Sequence, residues 1–390
     1  MHVWAPAGMD PVRILIAHSF YRLPGGEDGY VRKQIELLGN SHDVAVVERR
    51  NADLERGLST ALRMVNSGLS LRDVESAISE FGPDLVHLHN AYPSLGPAVH
   101  RAAERAGVPL AMTVHNLRLR CPNGLMFTEG EICRRCERGA YVHGVIHKCF
   151  ESRSQAAAYA TALWTHRFLL RLERKVQIFI APSQFMKRRL AEWRIAENRI
   201  ALVPPCTDLP SEVSPPGSHG LFLGRVSQEK GVDVLLNALK VAGDPPFRIV
   251  GDGPKLDSAR ALAEKLGLSN TVFAGRVPRE QVAGEVSDAR FLVMPSLCEE
   301  NAPLAAAEAL AHGRPLLVSD RGGLPELAED NRGLLSPAHD AMRLASNIRR
   351  LMNDDEMCAA MGASARRFAV RELSPELHLK RLNTVYSSVT

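Results

Sequence analysis

The sequence lacks the features that mark membrane-spanning, secreted and nucleic-acid-binding proteins. No uncharged apolar run reaches about 18 residues, so we expect no spanning helix, whereas a peripheral membrane contact stays open. The opening residues 1–12 contain no basic segment followed by an apolar core. This predicts no signal peptide and a cytoplasmic location, with the inner face of the membrane as the alternative. Lys and Arg number 48 against 44 Asp and Glu, and a net charge of +4 is too small to indicate nucleic-acid binding.

Cysteine is scarce, and seven unevenly spaced residues exclude a secreted disulfide scaffold. Four of them form a group, in which Cys121, Cys133, Cys136 and Cys149 are separated by 11, 2 and 12 residues. A Cys-x-x-Cys pair flanked by two more thiols matches the ligand set of a structural zinc ion, and buried or redox-paired thiols are the alternative. We expect residues 121–149 to form an insert, because they interrupt the alternation of strand and helix patterns found elsewhere.

The composition is otherwise that of a folded globular protein. Hydrophobic residues make up 45% and charged residues 24% of the 390, and this length predicts two or three domains. In the first half, strand patterns at residues 13–17, 43–48, 84–89 and 109–115 alternate with segments of helical periodicity. The strand patterns are continuously apolar, which is typical of a parallel sheet buried on both faces.

A proline-rich segment at residues 203–220 divides the chain. Its five prolines can neither donate to a strand ladder nor continue a helix, so we predict a linker. The alternation then resumes, with strand patterns at residues 220–226, 247–251, 271–275, 289–296 and 315–319. The sequence therefore predicts an α/β protein with two doubly wound, Rossmann-like domains. Ligands should bind beyond the carboxyl ends of the strands, in a cleft between the domains.

The loop after the first strand of the second domain contains two cations. Gly224 and Arg225 leave the strand, and Lys230 and Gly231 lead into the next helix. Cations and glycine amides at such a turn suit a diphosphate group, which the cations neutralise and the amides hydrogen-bond. Solvated surface charges are the alternative for this loop taken alone.

A second candidate segment runs from Pro295 through a loop into a helix. Pro303 suits the first helical position and Gly313 the end, which places Glu300 in the loop and Glu308 in the second helical turn. The two carboxylates are then not a close acid–base dyad, and they suit two hydroxyl-bearing parts of one extended ligand. Backbone amides at the helix start would be available to an anion between them.

With these motifs in this order, the sequence resembles glycosyltransferase family 4, the group 1 glycosyl transferases. These are retaining enzymes of GT-B fold that use nucleotide sugars, and the resemblance covers nearly the whole chain. It predicts domains at residues 1–207 and 208–372, and a last helix at 373–390 that packs back on the first domain. The matching segments are Gly224-Arg225, Lys230-Gly231, residues 250–254, the family's Glu, seven residues, Glu signature at Glu300 and Glu308, residues 319–326, Gly25-Gly26-Glu27 and His115.

The resemblance implies a role for each matching residue. Arg225 and Lys230 would hold the donor diphosphate, Glu300 the transferred sugar and Glu308 the ribose hydroxyls. His115 would lie near the anomeric centre as a base or hydrogen-bond donor, with a structural histidine as the alternative. The remaining donor-binding positions are Gly25, Gly26, Gly224, Gly253, Val277, Asn301, Ala302, Pro303 and Leu304.

The resemblance also implies the reaction. A sugar would pass, with retention of configuration, from a nucleotide-diphosphate sugar to a hydroxyl of a saccharide, a lipid-linked sugar or an aminocyclitol-type small molecule. UDP is the expected nucleotide, and GDP and ADP are the alternatives. No Asp-x-Asp triplet occurs, and the other major transferase architecture uses that triplet to hold a metal. We therefore expect catalysis without a cofactor, and zinc only in a structural role. The family usually has glycines after its first signature glutamate, and Asn301, Ala302 and Pro303 depart from that pattern.

Three other function classes are compatible with two such domains. A nucleotide-sugar epimerase of the same architecture is the main alternative, and it would need no acceptor. A dinucleotide-dependent oxidoreductase is disfavoured because no strand is followed by Gly-x-Gly-x-x-Gly, and residues 251–253 lack the third glycine. The combined set of Arg225, Lys230, Glu300 and Glu308 argues, indirectly, against a binding protein without catalytic activity.

Residues 162–179 combine an apolar stripe with four cations, Arg167, Arg171, Arg174 and Lys175. A basic amphipathic helix of this kind can lie on an anionic membrane surface. A core-facing helix with a solvated basic side is the more frequent explanation, and both stay open at this point.

Overall fold

The computed structural model of the chain describes residues 11–22, 25–51, 64–65 and 68–390. The chain divides into two compact units, which we call the first unit (residues up to 128, 133–203 and 378–390) and the second unit (129–132 and 204–377). Most of the opening segment on which the signal-peptide prediction rests, residues 1–10, lies outside the described residues.

The first unit is built on six parallel strands in the order β2-β1-β3-β4-β7-β8. The sheet order reverses beside β1, so the loops after β1 and β3 meet at a switch point. All four strands predicted for this part are confirmed. The elements are β1 (Arg13–Phe20), α1 (Gly26–Leu38), β2 (Asp43–Arg50), α2 (Gly68–Phe81), β3 (Leu85–Leu88), α3 (Ala98–Ala106), β4 (Leu110–Thr113), β5 (Phe127–Thr128), β6 (Glu131–Ile132), α4 (His143–Ile146), α5 (Arg153–Trp164), β7 (Ile178–Ala181), α6 (Gln184–Glu192) and β8 (Ile200–Leu202).

The stripe at residues 162–179 is not one helix, so this prediction was wrong. Helix α5 ends at Trp164, a π-helical turn covers Thr165–Leu169, and β7 begins at Ile178. Strand β7 is buried throughout and pairs with β4 on one side and β8 on the other, so the last residues of the stripe are apolar because they form a central strand.

The second unit contains another sheet of six parallel strands, in the order β11-β10-β9-β12-β13-β14. Its order reverses beside β9, which places a switch point between the loops after β9 and β12. All five predicted strands are confirmed. The elements are β9 (His219–Leu223), α7 (Val232–Ala242), β10 (Phe247–Val250), α8 (Leu256–Leu266), β11 (Thr271–Gly275), α9 (Arg279–Ser287), β12 (Ala289–Met294), α10 (Leu304–Ala311), β13 (Leu316–Ser319), α11 (Leu324–Ala328), β14 (Gly333–Ser336), α12 (Ala341–Asn353) and α13 (Asp355–Glu372).

Apolar side chains fill both faces of the second sheet. One cluster includes Phe247, Phe291 and Leu236, and the other includes Leu292, Leu310 and Val318. Residues 203–218 form neither helix nor strand, which confirms the predicted linker. In the residues described, no helix has both the length and the apolar character needed to cross a bilayer.

The last helix, α14 (Pro375–Ser387), packs on the first unit. The Tyr386 hydroxyl lies 2.8 Å from His87 Nδ1, and Asn383 Oδ1 lies 3.0 Å from His42 Nε2. Both contacts join side chains that are more than 250 residues apart in the sequence, so the carboxyl end of the chain belongs to the folding unit of the amino end.

Candidate functional site

Lys230 and Glu300 meet at the switch point of the second sheet. Lys230 ends a short turn after β9, Glu300 lies in the loop between β12 and α10, and Lys230 Nζ is 2.6 Å from Glu300 Oε1. Burial alone would lower the pKa of Lys230, but Glu300, Cys298 and Glu229 together raise it above its ordinary value. Lys230 is therefore a fixed positive charge at neutral pH.

The loop that carries Glu300 is held rigidly by its neighbours. Ser296 Oγ donates to Glu300 Oε1 at 2.7 Å, and the Gly323 amide donates to the Glu300 carbonyl at 2.7 Å. A Cβ on Gly322 would lie 2.1 Å from that same carbonyl, so only glycine allows this approach. The predicted position of Glu300, in the loop just before the helix, is confirmed.

Glu308 lies in the second turn of α10, as predicted, and is 9% exposed. Burial raises its pKa, and an ion pair with Arg279 opposes that rise. Arg279 is the first residue of α9, and sequence reasoning missed it. The available signal was its place just beyond the carboxyl end of β11, where a cation reaches the same edge of the sheet as Glu308.

The other predicted residues of the second unit differ in their surroundings. Arg225 is exposed and makes no ion pair in the described part of the chain, unlike Lys230. Val277 lies between β11 and α9 and is half-buried. Residues 301–303 lead into α10, which begins at Leu304 and has no side-chain cap on its first amides. Asn301, Ala302 and Pro303, which stand where the family usually has glycines, therefore lie in the loop just before α10. No side chain caps the first amides of that helix.

Gly224 and Gly253 lie where two loops touch through their backbones. A Cβ on Gly253 would be 2.3 Å from the Val226 carbonyl, and one on Gly251, whose φ is +141°, would be 1.8 Å from the Gly224 carbonyl. Two further hydrogen bonds close this contact, from Val226 N to the Asp252 carbonyl and from Gly224 N to the Val250 carbonyl. Gly251 and Gly253 therefore have a structural reason to be small.

At the switch point of the first sheet, the loop after β1 leads into α1 through Gly25 and Gly26. A Cβ on either glycine would meet no atom of the described residues within 4 Å. Asp28 holds this turn, because its Oδ1 lies 3.0 Å from His18 Nε2 and its Oδ2 accepts from the Gly25 amide at 3.4 Å. The acid is 2% exposed and fixes the start of α1.

A second acid in the same turn is Glu27 of the matched Gly25-Gly26-Glu27 segment, and its partners were not identified from the sequence. Its Oε2 accepts from the Tyr21 hydroxyl at 3.0 Å and from Asn116 Nδ2 at 3.2 Å. Burial raises the pKa of Glu27. His18, the hydrogen bond from Tyr21 and Arg118 oppose this rise. The Arg118 guanidinium lies 5.3 Å from the centre of the Tyr159 ring. The loops after β1 and β4 thus place polar groups of both signs together.

His115, just after β4, is held by a second histidine. Its Nε2 lies 2.9 Å from Nδ1 of His89, and the two rings stack with centres 5.2 Å apart. Burial, with His18 and His87 nearby, lowers the pKa of His115 well below its ordinary value. The Tyr30 ring packs edge-on against the His115 ring, with the ring centres 4.9 Å apart. His115 is therefore an uncharged, oriented imidazole. His89 follows β3 directly, and that position was the signal that sequence reasoning passed over.

The four clustered cysteines lie together, and a zinc ion at this place stays a prediction. They line one cavity of about 10 Å³, which has room for roughly one water molecule. However, no three His, Cys, Asp or Glu side chains in the described residues have an arrangement that holds a metal ion. The Cys121 thiol instead donates to Asn123 Oδ1 at 2.9 Å, and Cys133 accepts from Arg135. None of the four forms a disulfide with another described residue, and packing and hydrogen bonds brace the segment.

Two family models match the chain, in the order of its units. Residues 30–210 match glycosyltransferase family 4, and residues 219–368 match glycosyl transferases group 1. The chain belongs to this glycosyltransferase family. This confirms the resemblance, and nothing in these matches supports the epimerase alternative.

Individual relatives carry the same family name. The chain is 32% identical over 302 residues to a D-inositol 3-phosphate glycosyltransferase of Streptomyces avermitilis, over 73% of this chain and 61% of that protein. It is 30% identical over 174 residues to an uncharacterized glycosyltransferase of Methanocaldococcus jannaschii, over 44% of this chain and 49% of that protein. The matched part is thus about half to three fifths of the length of these relatives.

Solved structures share the fold across almost the whole chain. A sucrose-phosphate synthase from Thermosynechococcus elongatus superposes with a TM-score of 0.70 at 18% identity, over 97% of this chain and 98% of that one. The Anabaena protein HepE, solved with UDP and glucose, gives 0.69 at 18% identity, over 97% and 100%. The predicted fold class, two parallel-sheet α/β units of GT-B type, is confirmed.

Proposed function

We propose that this family member transfers a sugar from a nucleotide-diphosphate sugar to an acceptor hydroxyl, with retention of anomeric configuration. The observation that carries the proposal is the Lys230–Glu300 pair at the switch point of the second sheet, together with buried Glu308 in the second turn of the following helix α10. Ligands of doubly wound sheets bind at this position. A cation for phosphate and two acids for hydroxyl groups are what a nucleotide sugar requires.

The donor is a UDP-sugar in this proposal. Support comes from HepE, a protein of the same fold that was solved with UDP, with UDP and glucose, and with UDP-glucose. The acceptor belongs to the hydroxyl-bearing saccharides or cyclitols. The name of the Streptomyces relative, a D-inositol 3-phosphate glycosyltransferase, supports the cyclitol class.

Lys230 and Arg225 neutralise the diphosphate. Lys230 supplies a charge that Glu300 already orients, and exposed Arg225 is free to turn toward the ligand. The first amides of α10, which no side chain caps, add hydrogen-bond donors and the positive end of a helix dipole. Because these groups stabilise the charge that develops on the departing diphosphate, the transfer needs no metal ion.

The two glutamates and His115 position the reacting groups. Glu308 accepts from the ribose hydroxyls, and its ion pair with Arg279 opposes the rise in pKa that burial causes. Glu300 accepts from the sugar. In the transfer step, the bond between the anomeric carbon and the phosphate oxygen breaks while the acceptor oxygen bonds to that carbon from the same face. The acceptor proton passes to the departing phosphate oxygen. His115, uncharged because burial depresses its pKa, hydrogen-bonds the sugar.

A donor screen tests this proposal. The melting temperature of the protein is measured with UDP, GDP and ADP and their common sugars, and each stabilising donor is then incubated with saccharide and cyclitol acceptors. We expect UDP-sugars to raise the melting temperature, and mass spectrometry to detect acceptor plus one hexose. Excess chelator should leave this turnover unchanged. Stabilisation by no nucleotide, or turnover that stops at once in chelator, would contradict the proposal.

A further inference from the structure

The first unit exposes a concentrated apolar surface that the proposed reaction does not use. Twelve large hydrophobic side chains are exposed among the described residues, and five of them lie within residues 142–169. Trp164 and Phe168 are the two exposed aromatic residues among the twelve. We call these five the α4–α5 surface: Val142, Ile146, Trp164, Phe168 and Leu169.

The five side chains belong to elements that pack against each other. Val142 and Ile146 are one helical turn apart at α4, and the adjacent Tyr141 shares a buried cluster with Leu163 of α5. The Trp164 and Phe168 rings are 6.0 Å apart, and a Cβ on Gly139, three residues before Val142, would lie 2.5 Å from the Phe168 ring. These contacts bring α4 and the end of α5 into one patch.

The π-helical turn accounts for the exposure of the outermost residue. The Leu170 amide donates to the Thr165 carbonyl, five residues earlier, at 2.8 Å. A wide turn of this kind inserts an extra residue and shifts the side-chain register at the end of a helix. Leu169 is 68% exposed as a result, although the sequence around it is apolar enough for a core helix.

Positive charge is concentrated in the same segment. Residues 133–175 contain nine Lys and Arg against three Asp and Glu, a net of +6, whereas the whole chain has a net of +4 and the remainder therefore −2. Two of the three acids are already neutralised, Glu137 by Arg189 at 2.8 Å and Glu173 by Arg120. The positive excess of this segment lies at the surface, because seven of its nine cations are exposed.

Two of these cations, Arg171 and Arg174, follow the apolar Leu169 in the chain by two and five residues. Arg171 and Arg174 are exposed and make no ion pair within the described residues. They line an open groove of about 500 Å³ together with Leu170, Lys175 and Glu104, the last two being paired with each other. A groove with free guanidinium groups at its rim suits a phosphate ester.

We propose that the α4–α5 surface docks on an anionic phospholipid membrane. Exposed aromatic and aliphatic side chains flanked by Arg and Lys are the arrangement of interfacial membrane contacts, in which the apolar groups enter the headgroup boundary and the cations meet lipid phosphates. Charge complementarity selects this occupant, because a second copy of the chain would bring an equally positive patch against the first.

Vesicle flotation tests the proposal. Purified full-length protein is mixed with vesicles of phosphatidylglycerol and phosphatidylcholine in equal parts, or of phosphatidylcholine alone, at low salt. We expect the protein to float with the anionic vesicles only, and to be released at roughly 0.5 M salt because screening weakens the attraction. Absence of binding to the anionic vesicles, or equal binding to both kinds, would overturn the proposal.

Two variants locate the binding surface. In R171E/R174E, binding to anionic vesicles should weaken by at least about 25-fold, since each basic residue near such a surface contributes about a factor of five. In W164S/L169S, binding should also fall. The matched control is M342S/R343E, which removes an exposed apolar residue and its neighbouring cation from α12. Melting temperatures check that each variant folds.

Each result has a defined meaning. Unchanged binding in R171E/R174E would overturn the proposal. This variant should fold, because the two arginines form no ion pair within the described residues, so the test holds even if W164S/L169S fails to fold. Equal loss in the α12 control would also overturn it, since binding would then not be local. A lipid-free dimer that W164S/L169S abolishes would assign the surface to a second copy of the chain instead.

Discussion

The two sheets of this chain differ most at the carboxyl ends of their strands. In the second unit, the loops there carry full charges in pairs, Lys230 with Glu300 and Arg279 with Glu308. In the first unit, the corresponding edge carries stacked imidazoles, and burial lowers the pKa of His87 to about 3 and that of His115 well below its ordinary value. Similar scaffolds therefore differ in electrostatic character, because the first unit adds uncharged imidazoles beside its charged groups Glu27 and Arg118.

This difference teaches that the fold fixes where a ligand binds but not which ligand. A parallel sheet brings the loops after its strands to one edge whatever their residues are. The paired charges of the second unit suit a diphosphate and its hydroxyl-bearing sugars. The neutral histidines of the first unit suit hydrogen bonding to uncharged groups. If the two units have these separate roles, substitutions in each unit should change different properties of the protein.

Removing the cation of the second unit should have the largest effect. We expect Lys230→Ala to lower kcat/KM by about 10²–10³-fold, because one fixed group that stabilises the departing charge typically contributes that much. Steady-state kinetics with the best donor measures the change. The control is Lys240→Ala, which removes an exposed lysine from α7. If the two variants were equally active, Lys230 would have no role in catalysis. The charged loops of the second unit would then not explain the reaction.

Acid should destabilise the protein through the buried histidines of the first unit. Burial lowers the pKa of His87 and of His100 to about 3, whereas both titrate near 6.5 when unfolded. Below pH 6.5 the unfolded chain therefore binds protons that the folded chain excludes. The free energy of unfolding should fall by about 1.4 kcal/mol per histidine for each pH unit, down to about pH 3.

Urea unfolding at pH 7.5, 6 and 5 measures this slope. In His100→Gln, the free energy of unfolding should fall less steeply with decreasing pH, by the contribution of one histidine. The stabilities of the variant and the wild type should therefore be most similar at acid pH. Stability that does not change between pH 7.5 and 5 would show that these imidazoles are accessible to protons in the folded state.

Much of this architecture could be predicted from the sequence, because buried parallel strands leave continuous apolar runs and proline-rich segments end them. The position of Glu308 followed in the same way from Pro303 and the helical period. What escaped prediction depends on side chains that meet across loops. Arg279 reaches Glu308 from 29 residues away, and no local pattern encodes which acid it selects. Likewise β7 escaped prediction, since its first two residues lie at the end of the segment 162–179, whose apolar stripe predicted a helix.

A methyl group in the packed glycine loops should destabilise the second unit without touching its charges. In Gly253→Ala, the new Cβ would lie 2.3 Å from the Val226 carbonyl, so the free energy of unfolding should fall by about 1–3 kcal/mol. The control is Gly284→Ala in α9, where a Cβ meets no atom within 4 Å and helix propensity favours alanine. Urea midpoints compare the two. If Gly253→Ala keeps full stability but loses donor affinity, that glycine serves the ligand rather than the packing.

The smallest expected effect concerns orientation in the first unit. His89→Phe removes the Nδ1 atom that lies 2.9 Å from His115 Nε2 while keeping a flat ring between His87 and His115. Loss of one such hydrogen bond is worth about 1 kcal/mol, so kcat should fall about fivefold with little change in the KM for the donor. The control His100→Phe alters another buried histidine of this unit, in α3. A change in donor KM of the same size would mean that the first unit also contributes to donor affinity, and the separation of charged and neutral roles would fail.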